Sequence, residues 1–425
     1  MGILVEIGSF IKLQRQKKEM TQGELAKGVV SLSYLSKIEN KKTEASPEVI
    51  QMLCTRLGIQ LDNELETTIQ EKCKEWYSML FEVNDKEEII EKHHEVQALM
   101  DTNLTNSLLM FEIHKVRYYL VLGKFEEALD KINELNDVSS SFDNLHQFYW
   151  YKFRGNYNSL NGEFYQAIRL YKLAEEKLNQ IELEDKEIGD LQYTIAVTHS
   201  KLRNTLEVID YAGKAMDLFQ REYNFIRCAQ CHILLGISYR RIKMYDKAIK
   251  NYNLAKHLGE LNKDNQVIQL TNLNLGYLYA AKGDTEDAIS YFVEVAGDER
   301  VAHSERLGAI TALIKEYYTI LNYDKSEEMI NKASELLEIA KKDVYTGLFE
   351  YIIQTYTYAI NKEHEKFRML VTDTFIPYLK ENKDYANLVI YSKMLAEHLE
   401  DLGKYKESVK YYKLANSTYE ELINL

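Results

Sequence analysis

Apolar side chains recur at the three- and four-residue spacing of amphipathic helices along nearly the whole chain. Within the first sixty residues they come in short bursts, such as Leu32, Leu35 and Ile38 in the third burst. Only 2 prolines and 18 glycines interrupt the 425 residues, and a chain with so few helix breakers is typical of helical proteins. The pattern predicts an all-α protein that begins with four or five short helices in a compact domain.

Residues with capping side chains mark where these N-terminal helices begin. Thr21 and Glu24 form a T-x-x-E capping box that predicts the start of the second helix. Either Ser31 or Ser33 can cap the third helix. Ser46 can cap the fourth, because a proline follows it at the favoured first helical position.

From about residue 66 the chain repeats itself. The clearest copies of the turn signal are LGKFEEAL at 122–129, NGEFYQAI at 161–168 and KGDTEDAI at 282–289. The turn positions, nine in all, are 84, 123, 162, 203, 243, 283, 321, 362 and 403. Eight steps span 319 residues, so the period is close to 40 and each unit is predicted to be a helical hairpin.

Two further residue types recur at fixed distances from these turns. A small residue stands seven positions before most turns, namely Gly155, Ala196, Gly236, Gly276 and Ala396. A tyrosine stands four positions before many turns, namely Tyr119, Tyr239, Tyr279, Tyr317 and Tyr358. Small residues let paired helices approach closely and aromatic rings fill the space between hairpins. Both series therefore predict packing positions and not ligand contacts.

Charge is distributed unevenly along the chain. The first sixty residues carry nine Lys and Arg against six Glu, a net +3, whereas the whole chain carries −13. A basic head on an acidic body is typical of a DNA-binding module attached to a segment that repels nucleic acid. No run reaches the roughly 18 apolar residues of a membrane-spanning helix, and the N-terminus lacks the charge order of a signal peptide. We expect a cytoplasmic protein with no membrane partner.

Candidate catalytic or metal-binding chemistry is sparse. The phosphate-binding, serine-hydrolase and zinc-protease motifs are absent from the sequence. Cys228 and Cys231 form a single CxxC with no second pair, which predicts buried thiols and not a zinc site. His93 and His94 are expected to be a solvated pair on a charged helix. The sequence predicts no metal and no cofactor.

The segment MTQGELAKGVVSLSYLSKIENKK resembles the phage-repressor helix-turn-helix, whose pattern is TQ-x-x-LA…S-x-x-S-x-IE-N. Its spacing from Leu25 to Ile38 is one residue shorter than the commonest, and Val29-Val30 stand where glycine usually makes the turn. The resemblance implies that the helix from about Leu32 to Asn40 enters the major groove. The residues it places at DNA are Gln22, Ser31, Ser33, Tyr34, Lys37, Lys41 and Lys42. One weakly basic domain is expected to bind as a dimer or higher oligomer.

The hairpins resemble tetratricopeptide repeats, with a longer period and without the usual closing proline. The resemblance implies a right-handed superhelix whose first helices line a concave groove. Polar side chains in such a groove would pair with the backbone of an extended peptide, and Arg117 or Lys152 can hold a carboxylate. The residues predicted to face this groove are His114, Arg117, Tyr149, Lys152, Asn156, Tyr193, Asn272, Asn274, Tyr277 and Lys315.

The two parts together resemble the peptide-pheromone receptors of Gram-positive bacteria (the Rap, NprR, PlcR and PrgX group), and most of all NprR. The predicted organisation is a helix-turn-helix domain over 1–60, a linker helix over 61–72 and a repeat domain over 73–425. Membership implies a quorum-sensing transcription regulator in which a short secreted signalling peptide binds the groove and switches the oligomeric state.

For NprR-like members the resemblance also implies a second role in the peptide-free form. That form would sequester a sporulation response regulator or dephosphorylate it, and such phosphatase-like action leaves no catalytic motif to find. An alternative stays open, in which the chain is a transcriptional repressor or scaffold controlled by a folded protein partner through the repeats.

Overall fold

The protein is helical throughout the part of the chain that the structure describes, which confirms the predicted all-α class. The structure is a computed structural model, and it describes residues 7–40, 42–59, 66–82, 85–103, 105, 107–340 and 346–424. The chain divides into two compact units, Met1–Glu184 and Asp185–Leu425.

Four short helices form the N-terminal domain within residues 7–59. They are α1 (Ile7–Lys17), α2 (Gln22–Ala26), α3 (Leu32–Glu39) and α4 (Pro47–Arg56). Their buried faces carry Ile11, Leu25, Leu35 and Leu53, each fully shielded from solvent. The predicted compact helical head is therefore confirmed.

The caps predicted for this domain are confirmed. Thr21 and Glu24 form the complete capping box at the start of α2. The Ser31 side chain accepts a hydrogen bond from the backbone N–H of Tyr34 at 3.2 Å, so Ser31 and not Ser33 caps α3. The Ser46 side chain accepts from the N–H of Val49 at 3.4 Å.

The turn between α2 and α3 has its glycine one position earlier than the family pattern suggested. Gly28 adopts a left-handed backbone with φ +73°, a conformation that costs glycine little. Val29 and Val30 follow it without positive φ. The short spacing from Leu25 to Ile38 is accommodated by moving the left-handed residue, so the β-branched valines carry no strain.

The repeats of the first unit form three hairpins within its described residues. Their helices are α5 (Glu66–Glu82), α6 (Lys86–Thr102), α7 (Leu108–Leu122), α8 (Phe125–Asn136), α9 (Asn144–Leu160) and α10 (Phe164–Glu175). Residues 61–65 of the predicted linker lie outside the described residues. Residues 66–72 form the first part of α5, which continues unbroken to Glu82, and the boundary at residue 72 stays a prediction.

The second unit contains six further hairpins within its described residues. Its helices are α11 (Asp185–Lys201), α12 (Thr205–Arg221), α13 (Phe225–Arg241), α14 (Tyr245–Leu261), α15 (Asn265–Lys282), α16 (Thr285–Gly297), α17 (His303–Thr319), α18 (Tyr323–Ala340), α19 (Thr346–Ile360), α20 (His364–Met369), α21 (Ile376–Glu381), α22 (Tyr385–Asp401) and α23 (Tyr405–Asn424). A π-helical segment, Leu370–Phe375, joins α20 to α21. These three elements together form the second arm of one hairpin.

Eight of the nine predicted turn positions have a left-handed backbone, and the ninth, residue 84, lies outside the described residues. The φ values run from +56° to +86° at Gly123, Gly162, Arg203, Lys243, Gly283, Leu321, Lys362 and Gly403. A second left-handed series, between hairpins, comprises Tyr223, Lys263 and Lys383. The predicted turns are confirmed, and half of them tolerate a side chain where glycine would be favoured.

The π-helical segment accounts for an irregularity in this spacing. Left-handed residues follow the turns at 203 and 243 after 20 residues, but they follow the turn at 362 after 21. A π turn takes one residue more than an α turn. Pro377 stands in the first turn of α21, where its ring would clash with the carbonyl four residues earlier in a regular α-helix. The wider turn accommodates both the proline and the additional residue.

Small residues and aromatic rings face each other inside the hairpins. A Cβ built on Gly155 would lie 2.4 Å from the ring of Tyr171. The corresponding distances are 2.3 Å from Gly236 to Tyr252 and 2.5 Å from Gly276 to Phe292. In each pair the glycine is seven residues before a turn and the ring nine residues after it. The prediction that the small residues are packing positions is confirmed.

The tyrosine series lies at the edge of the core. Tyr317 is buried, whereas the other members are half-buried. Lysine ammonium groups cover several of their rings, and Lys282 lies 5.2 Å from the ring centre of Tyr279. Lys366 lies 5.7 Å from that of Tyr358. These tyrosines pack as predicted, but partly against lysine stems and not only between apolar side chains.

Cys228 and Cys231 are buried free thiols, as predicted. Burial raises the pKa of Cys231 to about 12. Among the described residues no group of three or more His, Cys, Asp or Glu side chains is placed to hold a metal ion. In the same part of the chain no helix is both long and apolar enough to cross a membrane.

The prediction that His93 is solvated is wrong. His93 is buried, and its ring stacks on Tyr118 with 4.2 Å between the ring centres. Neither of its ring nitrogens has a hydrogen-bond partner among the described residues. Burial lowers the pKa of His93 to about 4, and the charge of Lys115 adds to this effect. The charged neighbours in the sequence concealed an aromatic pocket that the next hairpin completes.

This burial makes the stability of the protein sensitive to acid. An unfolded histidine titrates near pH 6.5, so from there down to about pH 4 the unfolded state binds a proton that folded His93 does not. Stability is therefore complete above pH 6.5 and falls as the pH decreases through this window. We expect His93→Phe to reduce the slope of unfolding free energy against pH by up to about 1.4 kcal/mol per pH unit.

Urea unfolding of both proteins at several pH values measures this slope. The matched control is His94→Phe, because His94 is the exposed neighbour and should keep the wild-type slope. Equal slopes for all three proteins would contradict the assignment of His93.

The glycine and ring pairs predict a second stability effect. Gly236→Ala should destabilise the chain by about 1–3 kcal/mol, because the new methyl group overlaps the buried Tyr252 ring. Gly213→Ala is the control. Gly213 lies within α12, and no neighbouring atom comes within 4 Å of the place that an alanine Cβ would occupy, so alanine there should stabilise by about 0.5–1 kcal/mol. Urea midpoints that move in the same direction would contradict this account.

Candidate functional site

The exposed face of α3 carries most of the residues predicted to contact DNA. Ser31, Ser33 and Lys37 are exposed, and Lys42 is exposed just beyond the helix. Lys41 lies outside the described residues. Leu35 and Ile38 hold the opposite face in the core of the domain. The predicted set thus shares one surface, and only its most polar members point to solvent.

Leu32 departs from its predicted place in the core. It stands at the first position of α3 and is 57% exposed. The nearest residue on α2 is Gly23, and a Cβ there would be 3.7 Å from Leu32 Cδ1. Since glycine has no side chain to cover it, the leucine remains at the surface between Ser31 and Ser33.

A buried ion pair orients Gln22 and fixes α3 on α1. Arg15 donates two hydrogen bonds to the Glu39 carboxylate, at 2.7 and 3.0 Å. Gln22 Nε2 donates to the same carboxylate at 2.7 Å. One of the two amide hydrogens of Gln22 is therefore engaged, which leaves the other for a phosphate. Tyr34 donates its hydroxyl hydrogen to the Glu44 carbonyl at 3.2 Å.

The helix-turn-helix domain is joined to the first hairpins by polar side chains of α1. Lys17 forms an ion pair with Glu112 of α7. Gln14 Nε2 donates to the Met100 carbonyl at 3.4 Å, and Lys12 Nζ donates to the Asp137 carbonyl at 3.1 Å. The sequence analysis did not identify this contact. The only signal is an acidic residue in the middle of an apolar run, LLMFEIHKV.

Glu112 is the centre of this contact. It is 0% exposed and faces Lys17, Lys115 and Lys131, with its carboxylate 2.8 Å from Lys131 Nζ and 3.5 Å from Lys115 Nζ. Burial alone would raise the pKa of the Glu112 carboxyl, but the three ammonium charges outweigh burial and hold the pKa well below its usual range. The group is therefore ionised and neutralised inside the protein.

Three of the predicted groove residues lie together in the first unit. Arg117 and Lys152 both lie over the ring of Phe81, at 5.4 and 5.0 Å from its centre. The amide of Asn156 is 3.0 Å from the hydroxyl of Tyr171. With its oxygen turned towards Arg117, this amide accepts from the guanidinium at 3.3 Å. Cations and an amide thus share one aromatic surface.

His114 and Tyr149, predicted in the same set, are buried. The His114 ring stacks on Tyr77 at 3.8 Å between centres, and its Nδ1 lies 2.9 Å from the Met110 carbonyl oxygen. Burial lowers the pKa of His114 to about 3. Its neutral ring packs among aromatic side chains and has no surface to offer a ligand.

The two asparagines of α15 differ in how their amides are engaged. Asn272 is fully buried, donates to Gln269 and Glu294, and accepts from Lys256 at 2.9 Å. Asn274 donates only to the Leu270 carbonyl of its own helix, at 2.8 Å. Among the described residues its side-chain oxygen has no hydrogen-bond partner. Asn272 therefore links helices, and Asn274 retains capacity for a ligand.

The remaining predicted groove residues are half-buried in the second unit. Arg227 covers the ring of Tyr193, with 4.4 Å to the ring centre. Tyr277, one helical turn after Asn274, donates its hydroxyl hydrogen to the Gly308 carbonyl at 3.4 Å, and burial raises its pKa to about 12. Burial lowers the pKa of Lys315.

The ion pair at Glu112 predicts how tightly the N-terminal domain is held. Lys17→Met should loosen α1 without unfolding the chain, because Lys115 and Lys131 still neutralise Glu112. Glu112→Gln should cost more, about 3–5 kcal/mol, since it leaves buried lysines unpaired. Hydrogen exchange of the α1 amides and urea unfolding measure the two effects. Lys12→Met is the control, because its hydrogen bond is exposed. Equal effects at the three positions would contradict the central role of Glu112.

Comparison with known proteins places the chain in a family. Residues 11–63 match the helix-turn-helix family model. The transcriptional activator NprA of Geobacillus stearothermophilus is 32% identical over 409 residues, which cover 94% of this chain and 100% of NprA. The response regulator aspartate phosphatase A of Bacillus subtilis (strain 168) is 25% identical over 328 residues, which cover 73% of this chain and 85% of that protein.

Solved structures agree in fold. The apo form of the quorum sensor NprR from B. thuringiensis superposes with a TM-score of 0.69 at 19% identity, covering 84% of this chain and 99% of NprR. NprR in complex with its cognate peptide NprX gives a TM-score of 0.61 at 20% identity, with the same coverage. The predicted resemblance to the Rap and NprR group is confirmed, and the chain belongs to the family of the transcriptional activator NprA.

Proposed function

We propose that this protein is a cytoplasmic transcription regulator that binds DNA through α3 and is controlled by a short secreted peptide bound to its hairpins. The observation that carries this proposal is the exposed polar face of α3, held by a complete helix-turn-helix core on a chain that aligns with NprA along its length. The complex of NprR with its cognate peptide supports the second half.

The side chains of α3 suit both the backbone and the bases of DNA. Lys37 and Lys42 are exposed cations that can neutralise phosphates, and Ser33 can bond to a base edge. Leu32 adds an exposed apolar group at the first position of the helix, which is suited to the methyl group of thymine. We therefore expect operator positions that prefer thymine.

The hairpins offer the polar groups that an extended peptide needs. Asn274 has a side-chain oxygen that can accept from a peptide N–H, and Arg117 lies beside Lys152 and Asn156. A peptide can shift the oligomeric state only through different affinities for the two states. Since one head carries a net charge of only +3, binding by two heads follows, and the peptide would act by rearranging them.

A second role of the peptide-free form concerns a response regulator. The likeness to response regulator aspartate phosphatase A, which extends over 73% of this chain, supports binding of such a partner. No residue is assigned to catalysis. The alternative of a folded protein partner that controls DNA binding uses the same hairpin surfaces, and the peptide experiment distinguishes the two.

Removal of single lysines should reveal the phosphate contacts. We expect Lys42→Ala to weaken binding to selected and random DNA alike, and to reduce the slope of log affinity against log salt by about 0.9. Fluorescence anisotropy at several salt concentrations, on operator DNA selected from a random library, measures this. Lys406→Ala, an exposed lysine of α23, is the control. An unchanged salt slope for Lys42→Ala would remove this residue from the interface.

A short peptide should change the oligomeric state of the purified chain. Sedimentation velocity with short peptides from the medium of the source organism measures this, and Asn274→Ala should weaken the change by removing an acceptor for the peptide backbone. Asn262→Ala is the matched control, because Asn262 makes the same kind of bond, to Leu258 at 2.8 Å, but is exposed. DNA binding without a response to any peptide would favour the folded protein partner.

A further inference from the structure

Three arginines meet where two neighbouring helices of the second unit end. Arg203 occupies the left-handed turn after α11, and Arg240 and Arg241 are the last two residues of α13. Arg241 Nη1 donates to the Ser200 carbonyl at 2.8 Å. This bond carries its guanidinium across to the last turn of α11, three residues before Arg203. The three side chains therefore belong to one cluster, named here the arginine cluster.

The arginine cluster has no acidic partner. Among the residues that the structure describes, no carboxylate oxygen lies within 4.0 Å of its guanidinium nitrogens. Other arginines of the chain do have such partners, namely Arg15, Arg221, Arg227, Arg300 and Arg368. Because the chain has 66 acidic and 53 basic residues, acidic side chains are not scarce, and three arginines without a counter-charge in one place call for an explanation.

Burial makes this arrangement costly. Burial lowers the pKa of Arg203 and, to about 10, that of Arg241, and the charge of Arg240 acts in the same direction on both. The Nε atom of Arg240 is shielded from solvent and has no hydrogen-bond partner among the described residues. Burial raises the pKa of the neighbouring Tyr252, so its hydroxyl stays neutral and supplies no counter-charge. Like charges in a partly desolvated place repel each other unless an anion neutralises them.

Two other groups come near the cluster, and neither neutralises it. The closest acidic influence on Arg203 is Asp384, whose carboxylate already caps α22 by accepting from the Asn387 N–H at 3.2 Å and from the Asn387 amide at 2.6 Å. The carbonyls at the end of α11 attract cations, and Arg241 uses one of them. Helix capping thus accounts for Arg241 but leaves the charge of Arg240 unexplained.

We propose that Arg203, Arg240 and Arg241 form an anion-binding site that receives a carboxylate of the bound peptide. The guanidinium fork matches a carboxylate in shape and charge. Arg240 also acts on Tyr277, where burial raises the pKa and the arginine opposes the rise, so the site adjoins a residue predicted to line the groove. The sequence analysis assigned carboxylate binding to Arg117 or Lys152. This site is a further one, and its peptide ligand rests on the proposed function.

Inorganic sulfate tests the site without any peptide. The thermal midpoint of the full chain is compared in sodium sulfate and in sodium chloride of equal ionic strength. We expect sulfate to raise the midpoint of the wild type by about 2 °C more than that of Arg240→Gln. Arg169→Gln, an exposed arginine of α10, should respond as the wild type does. Equal responses of the wild type and Arg240→Gln would overturn the site.

The same variant separates ligand binding from a structural role. Because Arg240 has no ionic partner and adds repulsion, Arg240→Gln without sulfate should unfold at the wild-type midpoint or above it. A midpoint lowered by several degrees would show that the arginine holds the fold together, and the proposal would fail.

The source of the carboxylate is found with the peptide that shifts the oligomeric state. Its affinity is measured by calorimetry for the free acid, for the C-terminal amide and for a form with amides in place of acidic side chains. We expect one neutral form to bind the wild type about tenfold more weakly, and to bind the wild type and Arg240→Gln equally. That form identifies the carboxylate.

Equal losses in Arg240→Gln for all three forms would overturn carboxylate recognition. If no peptide shifts the oligomeric state, the proposed function fails, while the response to sulfate still decides whether the arginine cluster binds anions.

Discussion

The close approach of the two helices in each hairpin sets the geometry of the repeats. In three hairpins an aromatic ring lies directly on a glycine, as Tyr252 does on Gly236. The ring can reach the glycine only if both helices keep their phase and the turn between them keeps its length. Turn, small residue and ring are therefore tied to fixed intervals, and the interval survives at Ala196, which stands opposite Ala212. The period near 40 is the visible result of this contact.

Features that depend on a few neighbouring residues could be predicted from the sequence. The caps at Thr21, Ser31 and Ser46 and the left-handed turns are of this kind, because their hydrogen bonds close within one helical turn. Features that depend on what a facing helix presents could not be predicted. Leu32 is exposed because Gly23 lies opposite it, and His93 is buried because aromatic side chains of α7 cover it.

The candidate groove shows the same division. The repeat pattern correctly placed Arg117, Lys152 and Asn156 near one another, since equivalent positions of neighbouring hairpins are adjacent. It did not distinguish Asn274 from Asn272, although they are two residues apart, because only the partners of each amide reveal which one is already engaged. The arginine cluster escaped notice for the same reason. A missing counter-charge is a property of space and leaves no pattern in the sequence.

Helix α7 carries both ends of a physical link. Glu112 neutralises Lys17 of the DNA-binding head, and Arg117, five residues later, lies over Phe81 beside the predicted groove. A rigid helix transmits displacement along its axis and around it. Ligand contacts at Arg117 and the position of α1 are therefore mechanically connected within the first unit, which is the kind of element that allosteric coupling requires.

The π-helical segment before Pro377 has a consequence for reading this protein against others. From residue 376 onward every position is displaced by one residue relative to a strict repeat, and each residue of an α-helix turns the side-chain direction by about 100°. An alignment that enforces the period without a gap would pair surface positions of α21, α22 and α23 with core positions of other hairpins. The last hairpins must be aligned by their glycine turn at Gly403 and not by counting from the first.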